Sequence, residues 1–251
     1  MVKVISKRNH IADLVERKFL LTDPWYQLIL RMMKPVIHEF YGKRILEVGC
    51  GLGGFCISLA TKGAKVIGLD ISSSAVNKAK NLAKQLEVQS QIDLIIGDAH
   101  FLPIKDQTND VVVCSETLEH VTNYEKAFRE LVRVTRKSGH LCLTVPNLLS
   151  TLFFEYVVLL LIGQPQYAKD FGCLEKEHIF HPFKLRRLFN RENLKVIEIR
   201  STDFLHLPPT IRKALKIDRR PPTISHNLAT HSVSLRLGLF GATIGVVAKK
   251  V

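Results

Sequence analysis

The 251-residue sequence predicts an α/β fold with a doubly wound parallel sheet, on three observations. From residue 44 onward, short apolar runs alternate with amphipathic stretches, the pattern of parallel strands joined by helices. The run Ile45-Leu46-Glu47-Val48 leads directly into Gly49-Cys50-Gly51-Leu52-Gly53-Gly54, a strand that ends in a glycine turn. An acid, Asp70, closes the next apolar run.

Taken in order, residues 1–43 are expected to form an N-terminal helical segment ahead of the main domain. Asp23-Pro24 is a helix-start signal, a capping residue followed by proline in the first turn. Trp25, Leu28, Ile29, Met32, Met33, Val36 and Ile37 continue an apolar stripe, so a helix is expected from 24 to about 40, with Pro35 kinking it. Residues 44–48 form the first strand and 54 to about 62 the first helix of the alternation. Residues 65–70 form the second strand, after which Ser72-Ser73-Ser74 offer caps for a helix to about 86. Residues 92–96 form the third strand and 110–114 the fourth, apolar enough to be buried on both faces. A helix over 124–137 buries Ala127, Phe128, Leu131, Val132 and Val134 and is stopped by Ser138-Gly139. Residues 140–145 form the fifth strand, closed by Pro146.

An apolar insertion follows over residues 147–181, hydrophobic nearly all round between 152 and 162 and read as a lid or a packing helix in preference to a segment that touches a membrane surface. Pro182 opens a helix containing Leu185, Leu188 and Phe189, which leads to a strand near 195–202. Residues 206–236, rich in proline and basic residues, interrupt the sheet edge as an excursion between the last two strands. Residues 241–251 supply the final strand.

The net charge is +13, unevenly distributed. From residue 183 on, 14 basic residues stand against 4 acidic ones, so the first 182 residues are nearly neutral. A basic surface of this kind suits an anionic partner, whether RNA or another nucleic acid, phospholipid headgroups or an acidic substrate, or is simply a solvated face. Nucleic-acid readers interleave aromatics with their basic residues for stacking. Residues 205–236 contain no Phe, Tyr or Trp, which tilts away from RNA. Five scattered cysteines with no CxxC pair fit reduced packing residues. The N-terminal residues lack a long apolar core, and the stretch 148–163 is short and contains Glu155, so the expectation is a soluble, cytoplasmic chain.

Glycines at 49, 51 and 53 let a backbone approach a ligand closely, and the helix that starts behind them points its N–H groups into the same space. Asp70 stands where such folds place an acid for ribose hydroxyls. Asp98, with Ala99 at the end of the third strand, supplies a carboxylate suited to an adenine amino group. Glu47 occupies a position where dinucleotide enzymes usually carry an apolar residue. The motifs Glu47-Val-Gly-Cys-Gly-Leu-Gly, Gly68-Leu-Asp-Ile, Gly97-Asp-Ala, Ser115-Glu-Thr-Leu-Glu-His-Val and Arg136-Lys-Ser-Gly-His-Leu-Cys-Leu-Thr-Val-Pro resemble, in order and spacing, those of class I S-adenosylmethionine-dependent methyltransferases. The chain is similar in particular to the type-11 and ubiquinone-pathway group, with Gly139-His140 in place of the usual paired glycine.

That resemblance implies a Rossmann-like, mostly parallel seven-stranded sheet with the last strand inserted antiparallel, and S-adenosyl-L-methionine as cofactor. It implies a cofactor site of Glu47, Gly49, Cys50, Gly51 and Gly53 at the methionine end, and Asp70 with Ile71 at the ribose. Asp98 and Ala99 would bracket adenine, and Ser115 would lie beneath the sulfonium. Glu116 and His120 are the candidate catalytic residues, with His120 either a general base or a residue that orients the loop. Glu116, Glu119 and His120, joined by His178 or His181, resemble a divalent-metal set in two subfamilies. The expectation is no metal, because Leu-Glu-His-Val also occurs in methyltransferases that bind none. The apolar insertion points to a small hydrophobic or amphipathic acceptor. RNA methylation through the basic segment and a non-catalytic cofactor-binding module are the alternatives.

Overall fold

The strand sequences are too apolar to leave either face in water, and the chain covers both. The computed structural model describes residues 24–147, 178, 180–202 and 243–251. In chain order these form α1 (Pro24–Met33), β1 (Arg44–Val48), α2 (Gly54–Thr61), β2 (Lys65–Asp70), α3 (Ser73–Gln85), β3 (Ile92–Ile96) and β4 (Asn109–Ser115). Then follow α4 (Tyr124–Val134), β5 (Thr135–Pro146), α5 (Pro182–Arg191), β6 (Leu194–Thr202) and β7 (Thr243–Lys250). The strands make one seven-stranded sheet in the order β3-β2-β1-β4-β5-β7-β6. Pairing is parallel from β3 across to β5, and β7 runs antiparallel between β5 and β6. The doubly wound, mostly parallel sheet expected from the sequence is therefore present. Strand order reverses between β1 and β4, which opens a crevice at their carboxyl ends, the usual place for a ligand in an open α/β sheet.

Successive strand residues face opposite sides, so β1 sends Ile45 into one core and Leu46 and Val48 into the other. The first core joins α1, α2 and α3 to the sheet, and Tyr26 stacks on Phe55 with ring centroids 4.9 Å apart. The second joins α4 and α5, where Phe128 meets Phe189 edge-on at 4.9 Å.

Two boundaries differ from the sequence reading. The first helix ends at Met33 and does not continue to about residue 40. Pro35 has no N–H to extend the ladder, and the N–H groups of Val36 and Ile37 both turn back to the Met33 carbonyl, at 3.0 and 2.7 Å. Proline therefore stops this helix where a kink was expected. The helix expected over 124–137 ends at Val134, and β5 begins at Thr135, five residues before the expected start. Local stop signals at Ser138-Gly139 lose to partners brought from elsewhere. The Thr135 hydroxyl donates to the Leu131 carbonyl at 2.7 Å, and Thr135 pairs with Asn109 of β4. The Lys250 ammonium donates to the carbonyls of Val132 and Thr135 at 2.6 and 2.8 Å, a cation at a helix C-terminus. The apolar insertion (148–177 and 179) and the basic excursion (206–236) lie outside the described residues, as do residues 1–23.

Arg133 of α4 anchors the loop between β3 and β4. It donates to the carbonyls of Leu102 and Ile104 at 2.9 and 2.8 Å and pairs with Glu130 and Asp106. Glu130 in turn accepts the Leu102 N–H at 2.8 Å, and the Arg133 side chain holds its carboxyl below the usual range. Replacing Arg133 with Met removes several charge-assisted bonds at once. The expected cost is about 2–3 kcal/mol in urea denaturation, and an unchanged midpoint would refute the anchoring role.

Candidate functional site

The glycine turn lies at the carboxyl end of β1, on the crevice. Gly49 adopts φ +79°, and a Cβ there would sit 2.1 Å from the Thr117 hydroxyl oxygen, so only glycine fits against that side chain. Gly51 adopts φ +50° and a Cβ there would meet nothing within 4 Å, so this part of the turn faces open space. The turn is tied to β2 by Gly49 and Cys50 N–H groups donating to the Leu69 carbonyl at 2.7 and 3.0 Å. Gly53 caps α2, directly behind the turn, and Cys50 is buried.

Asp70 ends β2 with both oxygens engaged. Oδ2 accepts the Gly51 N–H at 2.8 Å and Oδ1 the Ser72 N–H at 2.9 Å. Ser72 then caps α3 by accepting the Ala75 N–H at 3.2 Å. Ile71 beside it is 75% exposed and Leu52 on the turn 53% exposed, an apolar rim with no protein over it among the described residues.

Glu47 is placed differently from the other turn residues. Its side chain points into the α2 face of the sheet and is fully buried. The Cys56 thiol donates to its Oε2 at 2.8 Å, and Oε1 is buried without a hydrogen bond. Burial raises its pKa from 4.5 to about 8, against the opposing pull of Cys56, because an isolated carboxylate is poorly solvated there.

At the end of β3, Asp98 Oδ1 accepts both the His100 backbone N–H at 2.8 Å and the His100 Nδ1 at 2.6 Å. His100 Nε2 accepts the Asn123 N–H at 3.2 Å, which assigns the ring proton to Nδ1. The backbone bond from His100 is the main cause lowering the Asp98 pKa. Ala99 packs partly buried against the second core, and Phe101 is exposed beneath the Lys126 ammonium, 3.2 Å from the ring centroid. His100 was not singled out from the sequence. Its signal was available in the Asp-x-His spacing, which closes an Asx-type turn.

The fourth strand delivers the remaining candidates. Ser115 is buried with its Oγ 2.8 Å from the Thr144 hydroxyl of β5. Glu116 adopts φ +46°, uncommon for a residue with a side chain, while its N–H donates to the Thr144 carbonyl at 3.0 Å. Leu118–His120 form a 3₁₀ turn in which Glu119 is buried and the His120 side chain is 56% exposed, its Nε2 3.8 Å from Glu119 Oε1. The His178 N–H donates to the Glu119 carbonyl at 2.9 Å, and Asn147 bridges to Phe180. The chain thus re-enters the described fold beside Glu119, and leaves it at Asn147 beside Phe180. His178 Nε2 lies 3.1 Å from the Thr122 carbonyl, and His181 Nδ1 accepts the Lys184 N–H at the start of α5. Among the described residues, no three His, Cys, Asp or Glu side chains are grouped so as to hold a metal ion.

The fold therefore brings the glycine turn, Asp70, Asp98 and the Ser115–His120 segment to the carboxyl ends of four adjacent strands. It turns Glu47 beneath the turn and leaves Ile71 at the rim. Thr117, against which Gly49 packs, is a further member that sequence reading missed. Nothing in a lone threonine marks it before the turn is folded over it.

A family model described as a methyltransferase domain matches residues 39–208. The chain is 39% identical over 93 residues to norajmaline N-methyltransferase of Rauvolfia serpentina, an alignment covering 37% of this chain and 32% of that one. It is 30% identical over 191 residues to demethylmenaquinone methyltransferase of Bacillus mycoides, covering 71% of this chain and 70% of that one. A crystal structure of an S-adenosylmethionine-dependent methyltransferase from Thermotoga maritima superposes with a TM-score of 0.59 at 20% identity, covering 98% of this chain and 99% of the other. At that identity the likeness concerns the fold.

Glu47 sets a pH signature for the ligand-free protein. Between about pH 5 and pH 8 its carboxyl keeps a proton in the folded state and has lost it in the unfolded state, so stability falls as pH rises. Glu47→Gln, which cannot ionise, should gain on the order of 2–4 kcal/mol relative to the parent across that window. Denaturant midpoints at both ends of the range measure it, and parallel curves for the two proteins would rule out a protonated Glu47.

Proposed function

The chain belongs to the class I S-adenosylmethionine-dependent methyltransferases, and we propose that it transfers the cofactor's methyl group to a small, apolar or amphipathic acceptor. The observation that carries the reading is the open cradle at Gly51 next to a carboxylate pinned at the end of β2. A nucleoside ribose needs that combination, bare backbone for close approach and an acid for its hydroxyls. Each Asp70 oxygen accepts one backbone N–H and retains capacity for a second hydrogen bond, so the residue is held in place and still able to bind ribose.

In this reading Gly49, Cys50, Gly51 and Gly53 shape the methionine end, and Ile71 covers one face of the adenosine. Asp98 Oδ1 takes both bonds from His100, and Oδ2 accepts the adenine amino group, with Ala99 against the ring. Ser115, fixed to Thr144, closes the floor. Glu47 supplies a buried carboxyl whose unsatisfied Oε1 fits a cationic amino group, and ionises when that charge arrives. When bound, S-adenosylmethionine supplies an electrophilic methyl group on a sulfonium. Glu116 and His120 face the acceptor: the half-exposed imidazole of His120 takes the acceptor's proton where one must leave, and the backbone geometry at Glu116 positions that loop.

Two features support that acceptor class. The 152–162 sequence is apolar nearly throughout, and the His178 N–H is bonded to the Glu119 carbonyl. Aromatic Tyr124 packs there against His178, centroids 4.7 Å apart. Among the relatives, one is named a demethylmenaquinone methyltransferase and another a norajmaline N-methyltransferase, which supports a small-molecule acceptor.

Incubation with methyl-labelled S-adenosylmethionine and a panel of quinols, catechols and ring amines tests the proposal. Label transfer to one of them is expected, and transfer to RNA alone would overturn it. Asp70→Ala should weaken S-adenosylhomocysteine binding by about 10–100-fold in calorimetry, and unchanged affinity would refute its ribose role. Cofactor binding near neutral pH should release a proton from Glu47, so affinity rises as pH increases toward 8. Titrations in buffers of different ionisation heat read this release, and its persistence in Glu47→Gln would assign it elsewhere.

A further inference from the structure

A second cavity lies at the opposite end of the sheet from the cofactor crevice. It holds about 340 Å³ between the segment that joins α1 to β1 and the first residues of β4 and β5. That is within the size range of small-molecule sites. Val36, Ile37 and Tyr41 give it an apolar side, and Lys43, Arg136 and His140 a basic one.

Its lining holds two cations, Lys43 and Arg136, and two acids, Glu39 and Asp110, but not all of them are available to a ligand. Asp110 is already claimed, with Oδ1 2.6 Å from Arg136 Nε and Oδ2 accepting the Arg44 N–H at 2.8 Å. That pairing orients the Arg136 guanidinium at the cavity wall. Lys43 has no carboxylate partner among the described residues. Lys249 stands opposite His140 in the β5–β7 register and adds a third cation. Glu39, exposed at the rim, is the remaining acid in the lining, and His38 is a second imidazole there. His140 registers the result. Burial first, then Lys249, Arg136 and Lys43, push its pKa below the usual 6.5, and no carboxylate offsets them. The hollow combines fixed positive charge, a half-buried neutral imidazole and an apolar wall.

We propose that this cavity binds a small organic anion, whose carboxylate or phosphate head lies among Lys43, Arg136 and His140 and whose apolar body lies on Val36, Ile37 and Tyr41. The bidentate fork of Arg136 and the Lys43 ammonium bind the oxyanion, and its charge allows His140 to take up a proton and donate a further hydrogen bond. The site is separate from the cofactor crevice, so its occupancy does not depend on the methyl-transfer reading.

The probes are phenyl phosphate and benzoate, titrated into the full chain while the His140 ring resonances are followed by NMR. Saturable shifts are expected, with an upward move of the His140 pKa in the bound state and weaker binding of inorganic phosphate, which lacks the apolar body. Which aryl anion binds tighter separates a phosphate from a carboxylate ligand. Lys43→Gln should weaken binding about tenfold, and Arg136→Lys, which keeps the charge and loses the fork, should weaken it as well. Both variants should bind S-adenosylhomocysteine as the parent does, which also reports that they are folded. No saturable shift with either probe would overturn the proposal. So would equal affinity in the parent and Lys43→Gln, or displacement of the probe by S-adenosylhomocysteine.

Discussion

The hydrogen bond from the Gly51 N–H to Asp70 is the interaction on which the site depends. It joins the turn after β1 to the end of β2, and the same carboxylate holds the Ser72 N–H at the start of α3. One side chain thus sets the relative position of two strand ends and a helix cap. Neither the glycines nor Asp70 could do this alone. The turn adopts positive φ at Gly49, Gly51 and Gly53, and the acid is held at the crevice by the N–H groups of Gly51 and Ser72.

Around that bond the polar groups are arranged in graded fashion. Asp98 is half-exposed and kept ionised by His100, whereas Glu47 is buried and kept protonated. Two carboxyls near the crevice are therefore shifted in opposite directions, because one is given hydrogen-bond donors at the surface and the other is removed from water. The same logic operates away from the site. Arg133 and Lys250 bring cations to carbonyls that their elements leave unpaired, at the β3–β4 loop and at the end of α4. The two ends of the sheet then differ in kind: Asp70 and Asp98 stand at the carboxyl ends of the strands, and Lys43, Arg136 and His140 line the cavity at their amino ends, where Asp110 is already paired with Arg136.

Much of the fold was legible in the chain because its signals are local. Strand periodicity located the seven strands, the glycine turn marked the crevice, and Pro182 marked the start of α5. What was misread, the ends of α1 and α4, depends on competition between a local signal and a distant partner. Pro35 is local, yet whether it kinks or ends a helix depends on what the following residues can pack against. The start of β5 was invisible because Thr135 is recruited by Asn109 and by Lys250, residues remote in sequence.

The sequence by itself determined the sheet and the residue types at the crevice, since alternation, turn glycines and strand-end acids follow from backbone geometry within a few residues. Only the tertiary structure decided what those residues are chemically. Glu47 faces inward because β1 alternates and Leu46 and Val48 occupy the other face, and that burial, which no local pattern encodes, moves its pKa to about 8. Thr117 became the wall behind Gly49 because strand ends far apart in the chain meet in the sheet, whereas the Asp98–His100 pair closes within two residues. Residue type is written locally, but solvation and hydrogen-bond partners are properties of the assembled neighbourhood.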